Sequence, residues 1–163
     1  MSGCRGRANR KLYHAAILLH MLESELTREH YPANIVLDAT APAIRQHLLG
    51  ALGWFLLELA EVQSLPEHPP ESVKSLQVDF GLAEPLRGEL IEISGLEQSG
   101  WLAELQATPP ESGAVQTPPG GAAPGGANLL VVAQQSWSAE QLRSWYSALE
   151  GMIDRLGHGL DEW

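Results

Sequence analysis

Cysteine, basic residues and long uncharged runs are all scarce in this chain of 163 residues, and each shortage excludes something. The single Cys4 can neither close an intramolecular disulfide nor build a thiolate zinc site, so the fold owes nothing to an oxidising compartment. Ten basic side chains stand against twenty acidic ones, a formal net charge of −10. That sign opposes the phosphate neutralisation on which nucleic-acid binding depends, so nucleic acid is not an expected partner. The most apolar stretch, "RQHLLGALGWFLLELAEV" at 45–62, is free of polar side chains only from Leu48 to Leu57. A membrane span needs about eighteen such residues, so no membrane partner is expected.

The basic residues that do occur are unevenly placed. Arg5, Arg7, Arg10 and Lys11 supply four of the ten within seven positions, which reads as a solvated, partly frayed basic start. The apolar "AAILLHML" follows, giving the outline of a secretion signal. His20 interrupts that run and no small-residue cleavage site comes after it, so a cytoplasmic location is expected.

Helical spacing dominates the rest. Leu12, Ala15, Ala16, Leu19, Leu22 and Leu26 recur in three- and four-residue steps and predict a first helix from about Arg7 to Ser24. "NIVLDA" is compatible with strand, loop or helical turn. Pro42 inside a helix would remove a hydrogen bond and kink the chain, so the second helix is expected to start near Thr40 and run to about Gln63. "PEHPPESVKSL" reads as a turn with one helical segment. "EPLRGELIEISGLEQSGWLAELQA" reads as two short helices broken between Gly95 and Gly100. Residues 108–127 hold five prolines and five glycines, a composition that offsets little of the entropy of ordering, and are read as a flexible loop. "NLLVVAQ" is compatible with a short strand. In "WSAEQL", Ser138 and Gln141 have the spacing of a capping box, with Trp137 and Leu142 placed as a hydrophobic staple. Leu142, Trp145, Leu149, Met152, Leu156, Leu160 and Trp163 then form an unbroken helical seam. The chain is long enough for one core, so a single all-α domain over residues 1–163 is expected. Its architecture is an antiparallel bundle of three long helices plus a short helical pair.

Three segments carry a resemblance: "RANRKLYHAAILL", "HLLGALGWFLLELAEVQSLP" and "WSAEQLRSWYSALEGMIDRLGHGLDEW". In order and spacing they resemble a small uncharacterised bacterial family, a domain of unknown function. Its members start helix one with an asparagine and a lysine. Their second helix is led by a histidine and contains glycine, and their C-terminal helix bears tryptophan. The resemblance implies a helical fold in a bacterial cytosol and implies no activity.

Catalytic patterns are thin. Di-metal carboxylate bundles need a glutamate three residues before a histidine, and none of the six histidines has Glu or Asp there. His14 and His20 lie about 240° apart on a helix and cannot converge on one ion. No glycine-flanked serine sits on a strand-to-helix turn, and no glycine-rich loop opens a helix with a lysine. No metal or cofactor is therefore expected. Arg7 and His14 are similar to the Arg/His pair of some helical-bundle ribonucleases, where one group holds a phosphate and the other moves a proton. There the pair lies near the start of a late helix, and here it lies on the first. Arg10 and His14, one turn apart, would suit a carboxylate such as Glu58.

On a helical wheel, the apolar residues of 44–62 fill a continuous arc, and His47, Glu58, Gln46, Gly50 and Glu61 lie opposite. Trp54 falls in the middle of that polar side, with Leu57 beside it. One reading covers Trp54 with the 86–107 layer or the long loop. The other makes Trp54, Leu57, His47 and Glu58 an exposed interaction patch, since a tryptophan ringed by polar groups is a common interface anchor. The sequence thus points to a non-enzymatic interaction or structural protein that self-associates through a helix face or binds a protein partner. The alternative is a cryptic ribonuclease-like hydrolase using Arg7 and His14.

Overall fold

A computed structural model describes residues 3–107 and 137–160, and every regular element among them is a helix. Three helices are long: α1 (Cys4–Arg28), α2 (Ala33–Leu59) and α6 (Ala139–His158). Between the second and third of these come three short ones: α3 (Val73–Phe80), α4 (Gly88–Ser99) and α5 (Trp101–Gln106). The short pair read from 84–107 is thus found as α4 and α5, split at Gly100, and the helical segment read in "PEHPPESVKSL" is found as α3, which starts at Val73. The Pro/Gly-rich loop of 108–127, the "NLLVVAQ" segment and Trp163 lie outside the described residues.

The α1–α2 hairpin forms the centre. Going forward along α1, Arg7 meets Trp54, Lys11 meets Gly50 and His14 meets His47, so the two helices run antiparallel. Helix α6 starts beside the C-terminal part of α1, where Arg143 pairs with Glu23, and ends where Gly157 meets Arg5. It therefore runs antiparallel to α1 and in the same direction as α2. Leu12, Ala15, Leu19 and Leu22 of α1, Leu48, Leu52, Phe55 and Leu56 of α2, and Leu142, Leu149 and Ile153 of α6 belong to one buried cluster. Seven consecutive residues of α2, Ala51 to Leu57, are buried, so that part of the helix is enclosed on every side.

Helix α1 runs past both of its expected ends, Arg7 and Ser24, and both boundaries of α2 also depart from the sequence reading. Helix α2 begins at Ala33, one full turn and more before Thr40, and carries Pro42 in its interior. The proline has no N–H to give the carbonyl four residues back, that of Asp38, but Asp38 and Pro42 are both exposed, so the unpaired carbonyl lies on the wet side. Tertiary burial of Val36, Ala41 and Ile44 on the inner side holds the helix together across the break. Thr40 serves as an internal residue rather than a cap, its hydroxyl donating to the Val36 carbonyl at 2.7 Å. The helix ends at Leu59, earlier than Gln63. There the Glu61 and Val62 amides donate back to the Glu58 and Leu57 carbonyls, with Glu61 in the left-handed region at φ 53°. This is the Schellman arrangement, here with glutamate in the usual glycine position.

The start of α6 is as its sequence suggests: the Ser138 hydroxyl accepts from the Gln141 amide at 3.1 Å. Trp137 stacks edge-on against Trp145, their ring centroids 5.9 Å apart. A second closure is made by Arg45 of α2. Its guanidinium donates to the carbonyls of Leu105, Gln106 and Ala107 at 2.9, 3.0 and 3.3 Å, satisfying the C-terminal end of α5 with a positive charge.

Gly53 is the position where α2 has no room for a side chain. A β-carbon there would overlap the Pro70 carbonyl and come within 2.7 Å of the Pro69 β-carbon. Gly53→Ala must push the 69–70 backbone off the helix, and the expected cost is about 1–3 kcal/mol in urea unfolding.

Candidate functional site

The residues singled out by the wheel lie in the α1–α2 seam, and the structure puts Trp54 and Leu57 inside it. Trp54 is 5% exposed and Leu57 is fully buried, so they do not form an open patch on this chain. The wheel places Trp54 correctly among polar neighbours. What it omits is the neighbouring helix. The Arg7 guanidinium lies over the indole with its central carbon 4.6 Å from the ring centroid, a cation–π contact that covers the ring. The Arg7 guanidinium of α1 thus covers the face of the Trp54 ring.

Arg5, two residues earlier on α1, also reaches α2. It reaches Glu58 at 3.5 Å and lies 5.9 Å from the centre of the Phe55 ring. Gly157 of α6 makes this possible, since any β-carbon there would collide with the Arg5 guanidinium. The basic start of the chain is therefore helical from Cys4 and its first two arginines point inward, unlike the frayed arm read from composition. Glu58 is engaged by Arg5. Burial and the Glu58 charge together push the Cys4 thiol up from its ordinary value, which disfavours the reactive thiolate.

Further along the seam, the His14 and His47 rings meet edge to face with centroids 5.2 Å apart. His47 Nδ1 is buried and has no hydrogen-bond partner among the described residues. Burial, and after it the nearby Lys11 and His14, hold the His47 pKa below its ordinary value of 6.5. Lys11 lays its aliphatic stem across Gly50, where a β-carbon would stand 3.4 Å from Lys11 Cδ. Arg7 and His14 do share one face of α1, but two turns, or about 10 Å, separate them along the axis. Each is applied to an aromatic ring of α2.

A groove of about 510 Å³ opens on another side of α2, beside the 68–72 segment. Part of its polar lining is already committed to the fold. Arg45 closes α5, the Ser72 hydroxyl caps α3 by accepting from the Ser75 amide, and Gln106 donates to the Glu71 carbonyl and to Glu97. Glu97 in turn accepts from the Val73 amide, while burial pushes its carboxyl up from the ordinary carboxylate value. Among the described residues, no three His, Cys, Asp or Glu side chains gather where they would hold a metal ion.

The surface feature that the wheel of α2 missed is on α1. Tyr13, Ile17 and Met21 are 66%, 41% and 55% exposed, and they follow one another at four-residue steps on the side away from the core. The signal was present in the sequence: once Leu12, Ala15, Leu19 and Leu22 are assigned inward, these three remain over on the outer face.

Removing the indole should empty a filled site. Trp54→Ala is expected to lower unfolding free energy by about 3–5 kcal/mol in urea titration, an effect on the fold itself. The His47 contribution has a definite sign. Its folded pKa lies below the unfolded one, so the unfolded chain takes up the proton first as pH falls. This part of the stability is fully present above about 6.5 and is lost as pH falls from there towards the folded value. Thermal melts at pH 7.5 and 5.5 should show a larger drop for the natural chain than for His47→Gln.

Neither a curated protein nor a solved structure matches the chain. The model of a family of unknown function, DUF6586, matches residues 1–163, and the chain belongs to that family.

Proposed function

We propose that this is a non-enzymatic interaction or structural protein, a single helical-bundle domain of the bacterial cytosol that self-associates through a helix face. The observation that carries the reading is the exposed stripe of Tyr13, Ile17 and Met21 on the outer side of α1. Three large apolar side chains in a row cost solvation on a free helix, and burying each against a partner is worth about 1.5–3 kcal/mol. The face is α1, not the Trp54 side of α2, because Trp54 is already covered by Arg7. Supporting a role in contact rather than chemistry, Arg7 and His14 are each engaged with a ring of α2, and Cys4 is held towards its neutral thiol. No described helix is long and apolar enough to cross a membrane.

Sedimentation velocity over a concentration series tests this. The weight-average mass should rise with concentration for the natural chain, and Ile17→Asp should weaken association by about tenfold or more. Because Ile17 is on the outside, its helical circular dichroism should be unchanged. An unchanged sedimentation profile in the variant would remove α1 as the contact face.

A further inference from the structure

One edge of the α1–α2 seam sets cationic side chains of α1 against rings and small residues of α2. Arg7 covers Trp54, Lys11 crosses Gly50, and His14 meets the edge of His47. The last of these contacts is the one whose charge changes near neutral pH, because imidazole titrates there while arginine and lysine stay charged. His47 is half-buried, and its Nδ1 is sealed from solvent with no hydrogen-bond partner among the described residues. A neutral ring can leave Nδ1 bare, whereas the imidazolium carries hydrogen on both nitrogens. A proton on this Nδ1 would be a buried donor without an acceptor, an unfavourable state for any polar group taken out of water. We infer that His47 is an acid-operated latch on the seam: its ring takes up a proton only when the first half of α1 comes away from α2.

The charges around the ring favour the same outcome. Those that act on it are Lys11 and His14, both from α1, and both work against a positive ring. No carboxylate of the described elements is among them, and α1 has none from residue 3 to 16. On α2 itself the nearest acids are Asp38 and Glu58, about two and a half and three turns away, and Glu58 is paired with Arg5. The 68–72 segment brings His68 and Glu71 to a neighbouring side of α2, where they line the groove with Gln46 and Gly50, and Glu71 acts there on Arg45. Opening relieves both penalties, since it gives Nδ1 water as an acceptor and moves Lys11 and His14 away. The released part, residues 4–14, is shorter than an isolated helix needs to persist in water, so it unwinds as it detaches. The second half of α1 stays in place, held by Leu19 and Leu22 in the core and by Glu23 to Arg143 of α6.

Hydrogen exchange resolved by residue tests this on the full chain, with amide rates corrected for their own pH dependence and the His47 ring titrated by NMR on the same samples. Between pH 7.5 and 5.5 the protection of amides 8–14 should fall about tenfold, because a ring released to titrate at about 6.5 is roughly ten to one protonated at pH 5.5. At pH 5.5 those amides should also exchange about tenfold or more faster than amides 145–153 of α6. His47→Gln, which cannot take up a proton, should abolish the fall. If amides 8–14 keep their protection at pH 5.5, proton uptake is not tied to opening, and a ring that has titrated meanwhile has swung out by itself. If amides 8–14 and 145–153 drop to one common protection, the event is unfolding of the whole molecule and there is no latch. If the natural chain and His47→Gln lose protection equally, another group is the trigger. Each of these results overturns the inference, and the first two are read on the natural chain alone.

Discussion

The buried run from Ala51 to Leu57 sets the terms for everything else, because a helix enclosed on all sides needs a neighbour at every angle. Its strongly apolar arc meets the leucines of α1 and α6, as any central helix would. The remaining side holds Gly50, Gly53, Trp54 and Glu58, and each of these is closed by a different device. Lys11 lays its stem over Gly50, prolines 69 and 70 press on Gly53, Arg7 stacks on Trp54, and Arg5 pairs with Glu58. Small residues permit backbone approach where no side chain fits, and arginine covers apolar surface while keeping its charge beside a ring or a carboxylate.

Arginine recurs as the closing residue throughout the molecule. Arg45 binds three successive carbonyls at the end of α5 and also lies 5.7 Å from the centre of the Trp137 ring. Arg87 joins the 59–61 turn to the start of α4 through the Leu59 carbonyl and Glu61. Arg143 and Arg155 pair with Glu23 and Glu92 at the two ends of α6. A planar guanidinium with five donors satisfies several acceptors at once, which lysine cannot do. Few basic residues in an acidic chain are therefore spent on interior and junction positions. Much of the outer surface is left to carboxylates.

Much of the helical content was legible because amphipathic spacing and caps are local. The α6 start at Ser138, the break at Gly100 and the core face of α1 all follow from residues within one or two turns of each other. The start of α2 was not legible from such rules. A proline in a helix costs hydrogen bonding locally, and only burial of Val36, Ala41 and Ile44 by other elements outweighs that loss. The outer stripe of α1 was readable by subtraction, yet it becomes visible only after its opposite face has been assigned.

By itself the sequence determined that the chain is helical, that its core is leucine-rich, and that Leu48–Leu57 is too short to span a bilayer. Those properties depend on composition and period, which no partner element changes. The tertiary structure alone decided whether Trp54 faces water. The wheel measures angle around one axis, and an indole surrounded by polar neighbours on its own helix is buried or exposed according to what arrives from another. Here the arrival is Arg7, placed by the antiparallel register of α1 and α2, so the indole is buried.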